Sequence, residues 1–92
     1  ADEYDAVDEE RLYTANSKGG WNVDAKMNIL DIEKELDIAM PHSPEYDTIG
    51  GYLFHKAGTI PETGWRLHHD NFDIEVVESN ERTIETIWII PK

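Results

Sequence analysis

The apolar positions of this chain keep a helical spacing in two stretches and a strand-like pattern in the others. Arg11 to Ala15 reads as a short strand, and Asn16, Ser17, Lys18, Gly19 and Gly20 supply turn residues tolerant of positive φ. Trp21 to Asp24 returns as a second strand. Ile29, Ile32 and Leu36 then fall on one helical stripe, with Asn28 placed as N-cap and Asp31 three positions on, so the spacing predicts a helix ending near Asp37. Ile38 and Met40 alternate before Pro41, and His42, Ser43, Pro44 and Glu45 form a loop, because each proline removes a backbone donor and restricts its predecessor.

A second helix is expected from about Thr48 to Ala57, with Asp47 or Thr48 as cap, Ile49, Leu53 and Ala57 on one stripe, and Gly58 as the left-handed stop. Gly50 and Gly51 lie in its first turns. Glycine costs a helix about 1 kcal/mol relative to alanine, so the pair implies that another backbone packs closely there or that a ligand approaches. Thr59 to Gly64 is a loop. Trp65 to His69 and Phe72 to Glu78 read as a hairpin closed at Asp70 and Asn71, with Phe72, Ile74 and Val76 facing one side. The last strand, Arg82 to Ile90, is apolar on both faces near its end, which favours a covered strand over an exposed edge. The order ββααβββ predicts an α+β domain with two helices over a mostly antiparallel sheet.

At 92 residues the chain suits one compact domain whose large apolar side chains are nearly all needed for its core. It contains no cysteine, which excludes a disulfide framework, a thiolate metal site and a cysteine nucleophile, and fits a reducing cytoplasm. No stretch has the length of a membrane span or the pattern of a signal peptide, so insertion by this segment is not expected. The net charge of −12 argues against nucleic acid and anionic lipid as partners. Half of that charge sits in residues 1–10, where Asp2, Glu3, Asp5, Asp8, Glu9 and Glu10 have no base among them and mark an acidic linker.

Candidate chemistry is sparse. His42, His55, His68 and His69 accompany many carboxylates, but His68 and His69 are adjacent on a strand and point to opposite faces, so no metal site is expected. Asp31 and Glu35 are four apart on the first helix and read as a solvated face offset by Lys34. Ser17, Ser43 and Ser79 lack the context of a nucleophile, and no glycine-rich phosphate loop follows a strand, so no catalytic residue is assigned. The sharpest ligand hypothesis is an anion on the helix amides at Thr48, Gly50 and Gly51. Weighed against it, an acidic cap at Asp47 would occupy those donors and repel phosphate, so close packing is preferred.

Several short motifs resemble the CorC/HlyC transporter-associated domain over nearly the whole chain. Asp2 to Asp5 is similar to the segment leaving a preceding CBS domain pair, and Gly20 to Lys26 resembles the family's lead-in to its first helix. The most specific stretch is Tyr46, Asp47, Thr48, Gly50 and Gly51 followed by Gly58, Ile60, Pro61 and Gly64; Phe72 to Glu78 and Arg82 to Ile90 match the closing strand pair. Ala25, Lys26 and Asn71 depart from the family pattern, and Ala25 implies no positive φ at that position.

The resemblance implies a fold similar to part of the PCMH-type FAD-binding fold, with residues 1–10 as linker from a CBS pair and 11–92 as the domain. It further implies a non-catalytic, regulatory accessory domain of a haemolysin-like membrane ion transporter associated with magnesium and cobalt efflux, acting at the cytoplasmic face of the membrane. The partners would be the CBS pair and membrane domain of the same polypeptide, with a homo-oligomer left open. No cofactor is expected. FAD or adenine nucleotide binding by fold analogy, and divalent cation sensing by the acidic surface, stand as the alternatives.

Overall fold

The computed structural model describes residues 12–92, so the acidic linker expected over residues 1–10 lies outside the described residues. Five strands form one antiparallel sheet: β1 (Tyr13–Ala15), β2 (Trp21–Asp24), β3 (Arg66–His68), β4 (Phe72–Ser79) and β5 (Ile84–Pro91), in spatial order β1-β2-β5-β4-β3. Two helices, α1 (Ile29–Leu36) and α2 (Ile49–Ala57), complete the expected ββααβββ order.

β1 and β2 turn through Gly19 and Gly20, both at positive φ, and a side chain at Gly20 would overlap the Ile89 carbonyl, so the turn has no room for a larger residue. β5 lies in the middle of the sheet, pairing Trp21 with Ile89 on one side and Ile74 with Ile89 on the other, so it is no edge strand; Ile87 and Ile89 on its core face are buried, whereas Trp88 and Ile90 on the other face are partly so. The β4–β5 pairing is irregular around Val77, which is left 41% exposed between paired Val76 and Glu78.

The strand positions expected to share a face do so: Phe72, Ile74 and Val76 from β4 and Ile87 and Ile89 from β5 are buried with Val23. Against them pack Ile29, Ile32 and Leu36 of α1 and Ile49, Tyr52 and Leu53 of α2, which together make one continuous core. Asn28 caps α1 by accepting from the Leu30 amide, and α1 ends with Asp37 in the left-handed region at φ 57. Gly58 closes α2 as expected, its N–H reaching the Phe54 carbonyl at 2.8 Å. The β3–β4 hairpin closes at Asp70 and Asn71 as expected, with the His69 N–H donating to the Phe72 carbonyl across the turn and neither turn residue at positive φ. Among the described residues no helix is long and apolar enough to cross a membrane.

Candidate functional site

The start of α2 is fastened to the segment after β2. Asp24 and Met27 form a tight turn, with the Met27 N–H donating to the Asp24 carbonyl and the Lys26 N–H to Asp24 Oδ1. From this turn, the Met27 carbonyl accepts from the Ile49 N–H at 3.0 Å and the Ala25 carbonyl from the Gly50 N–H at 2.8 Å. The Gly51 N–H donates to Thr48 Oγ1 at 3.0 Å. The cap is therefore Thr48, and the first three amides of α2 all have protein acceptors.

The two glycines differ in role. A Cβ on Gly50 would stand 2.9 Å from the Ala25 carbonyl oxygen and 3.0 Å from the Ala25 methyl. A Cβ on Gly51 would meet only Thr48 Oγ1 at 3.2 Å and the Tyr46 Cβ at 3.4 Å. Close backbone packing thus falls on Gly50. Ala25, which stands where the resemblance leads one to expect glycine, has ordinary negative φ and is buried.

Beside this junction a cleft of about 410 Å³ opens, bordered by Lys26, Thr48, Phe54, Ile60, Arg82 and Glu85. Phe54 is 50% exposed. The acidic residues here are engaged by their own loops: Asp24 by the Lys26 amide, and Glu85 by the Asn80 side chain at 3.2 Å. A second, shallower cleft lies between the α1 start and the loop carrying His42 and Tyr46, beside the exposed Leu30.

The four histidines are dispersed. His42 meets Glu33 at 2.7 Å, His55 meets Glu45 at 3.2 Å and His68 meets Asp73 at 3.0 Å, all near the surface. The backbone N–H of Met40 and then His42 hold the Glu33 carboxyl below its ordinary value. Partial burial works to raise the Asp73 carboxyl, but hydrogen bonds from His68 and Lys92 outweigh it and leave it lowered.

His69 turns inward, opposite to His68. Its Nε2 lies 2.5 Å from the Tyr52 hydroxyl, its ring stacks on Phe72 at 4.1 Å, and its buried Nδ1 has no hydrogen-bond partner among the described residues. Burial first, then Lys56, pushes the imidazole below its usual range; Lys92 adds to this, while Asp73 and Asp70 oppose it. Burial and then Tyr46 push the Tyr52 phenol up to about 12. The pair joins α2 to the β3–β4 turn inside an aromatic cluster with Tyr46 and Phe72.

Asp31 and Glu35 stay on the exposed face of α1, where Glu35 accepts from the Tyr13 hydroxyl at 3.1 Å. Among the described residues no three His, Asp or Glu side chains converge as a metal site. The Lys26–Arg82 cleft and the Tyr52–His69 pair went unread in the sequence, since their members lie 56 and 17 positions apart and carry no motif.

The elements and their order define a small α+β domain of five antiparallel strands and two helices. Residues 14–92 match the family model described as the transporter associated domain, CorC_HlyC, and the chain belongs to that family. It is 32% identical over 88 residues to the hemolysin C of Brachyspira hyodysenteriae, covering 96% of this chain and 32% of the relative. The chain thus spans about a third of that relative's length. Among solved structures, the transporter associated domain CorC_HlyC of Nitrosomonas europaea superimposes with a TM-score of 0.77 at 24% identity, covering 90% of this chain and 99% of that one. The corresponding domain of a Xylella fastidiosa hemolysin, in complex with Mg++ and Mn++, gives a TM-score of 0.76 at 20% identity, covering 89% and 99% respectively.

Proposed function

We propose that this chain is a non-catalytic accessory domain of a CorC/HlyC-type membrane ion transporter, modulating transport or assembly through the surfaces it presents to the rest of that protein. The observation that carries the reading is the family match over residues 14–92 in a chain that spans only a third of a full-length relative. A CBS pair and a membrane domain would precede it, and it would work at the cytoplasmic face. The surface chemistry agrees: the histidines are dispersed, and the amides of Ile49, Gly50 and Gly51 are spent on protein acceptors, which counts against a flavin or nucleotide phosphate at the α2 start.

The test is ion flux in vesicles reconstituted with the parent protein, full-length or lacking this domain, beside a measurement of oligomeric state. Altered regulation or assembly, with the ion path intact, is expected. Unchanged flux, magnesium response and assembly would overturn the reading.

Divalent cation sensing is a second reading, favoured by the Mg++ and Mn++ bound to the Xylella neighbour. It calls for several oxygens converging on one ion, and a large rise in melting temperature with millimolar magnesium would promote it.

A further inference from the structure

We propose that His69 is a proton-operated latch: neutral, it holds the β3–β4 turn against α2, and on gaining a proton its ring leaves the slot between Tyr52 and Phe72 and frees the turn. The device is internal to the chain and goes beyond the accessory-domain reading without depending on it.

The imidazole has the Tyr52 hydroxyl 2.5 Å from its Nε2 and the Phe72 ring stacked on it at 4.1 Å, and Tyr52 in turn meets the Tyr46 ring at 5.1 Å. A neutral ring can carry its one N–H at Nε2, donate it to the Tyr52 oxygen and leave Nδ1 as a bare acceptor. A second proton must go on Nδ1, which is buried and has no hydrogen-bond partner among the described residues. Protonation therefore puts a charge and an unmet donor into an aromatic slot in one step.

The charges around the slot do little to keep the cation there. On α2, the Lys56 ammonium lies 5.9 Å from the centre of the Tyr52 ring, and at the end of the chain the Lys92 ammonium donates to the carbonyl of His69 itself. Tyr52 keeps its own proton, its phenol being pushed up to about 12. Of the two acids that oppose these cations, Asp73 is already held by His68 and Lys92, while Asp70 is exposed on the turn and draws the ring outward.

Little has to break for the ring to leave. β3 is a three-residue edge strand with β4 as its one neighbour in the sheet, and the turn is closed by the His69 N–H on the Phe72 carbonyl and the Lys92 N–H on the Asn71 carbonyl. A ring out in water takes up its proton near the ordinary value of about 6.5 and the closed ring only below it, so acid favours the open turn as pH falls through that range.

The experiment is nuclear magnetic resonance of the whole 92-residue chain between pH 7.5 and 5, following the His69 ring shifts and the nuclear Overhauser contacts of that ring with Phe72 and Tyr52. Those contacts should be lost as the His69 shifts report protonation, while contacts between Ile74 and Ile89 in the core persist. Lys56→Gln should move the loss to higher pH, because it removes a cation that disfavours the imidazolium. His68→Gln, on the opposite face of the strand, should leave the loss in place. A His69 ring that gains its proton and keeps both contacts, one that stays neutral and seated at pH 5, a loss that coincides with that of the Ile74–Ile89 contacts, or a loss that follows His68 and ignores Lys56 would each overturn the proposal. None of these readings involves transport, so failure here and failure of the flux assay are separate results.

Discussion

Gly50 and Ala25 are in direct backbone contact, and the contact is also a hydrogen bond: the Gly50 N–H reaches the Ala25 carbonyl at 2.8 Å, while the Ala25 N–H reaches the Glu85 carbonyl at 3.0 Å. One short residue therefore ties helix α2 to the central strand of the sheet.

Gly50→Val should be strongly destabilising, because its β-carbon meets backbone that cannot rotate away. The expected loss is about 1 to 3 kcal/mol, the usual cost of overpacking. Gly51→Ala should be close to neutral, since the gain of about 1 kcal/mol in helix propensity offsets mild crowding against Thr48. Urea unfolding of both variants checks the order, and equal losses would show that the two glycines are not distinguished by the Ala25 contact.

Thr48→Ala removes the acceptor of the Gly51 amide and should cost about 1 kcal/mol, whereas Thr48→Ser should retain most of it. Thermal unfolding of the two variants tests this. A Thr48→Ala protein as stable as the parent would mean that water replaces the cap without loss.

Asp37→Gly should raise stability by about 1 kcal/mol, because Asp37 holds the left-handed conformation that costs a residue with a side chain about that much. The midpoint of denaturant unfolding should move upward with an unchanged slope. A lower midpoint would assign the aspartate side chain a stabilising role that outweighs its backbone strain.

Acid should weaken the fold in two windows. His69 has a lowered pKa in the folded chain, so the unfolded chain binds its proton first and stability falls as pH drops below about 6.5. Glu33 and Asp73, also lowered, contribute stability that is present above the ordinary carboxylate range and lost below about pH 4, as pH falls through their folded values. His69→Gln keeps a hydrogen-bonding group beside Tyr52 and does not titrate. Its melting temperature should therefore change less than the parent's across the upper window, and parallel curves would remove His69 as the cause.

Much of the fold was legible because local and global signals agree. Asn28, Thr48 and Gly58 are capping residues at the ends of apolar stripes, and Phe72, Ile74 and Val76 alternate as a half-buried strand must. The glycine pair was readable as a close approach, but not which glycine makes it, because that depends on where the Ala25 carbonyl lies. Asp37 was placed at the helix end without its left-handed conformation, which aspartate tolerates but does not announce. Tyr52 and His69 meet through tertiary packing alone.

The central position of β5 also bears on how the domain is made. Residues Ile84–Pro91 separate the β1–β2 hairpin from the β3–β4 pair, and Trp21 must wait for Ile89 before it has a neighbour on that side. On a ribosome, where chain emerges from its N-terminal end, two unattached half-sheets would exist until the closing strand slides between them and zips both edges at once. The sheet therefore cannot close until residues 84–91 have been made, and until then the open edges of β2 and β4 are the surfaces a chaperone would need to shield.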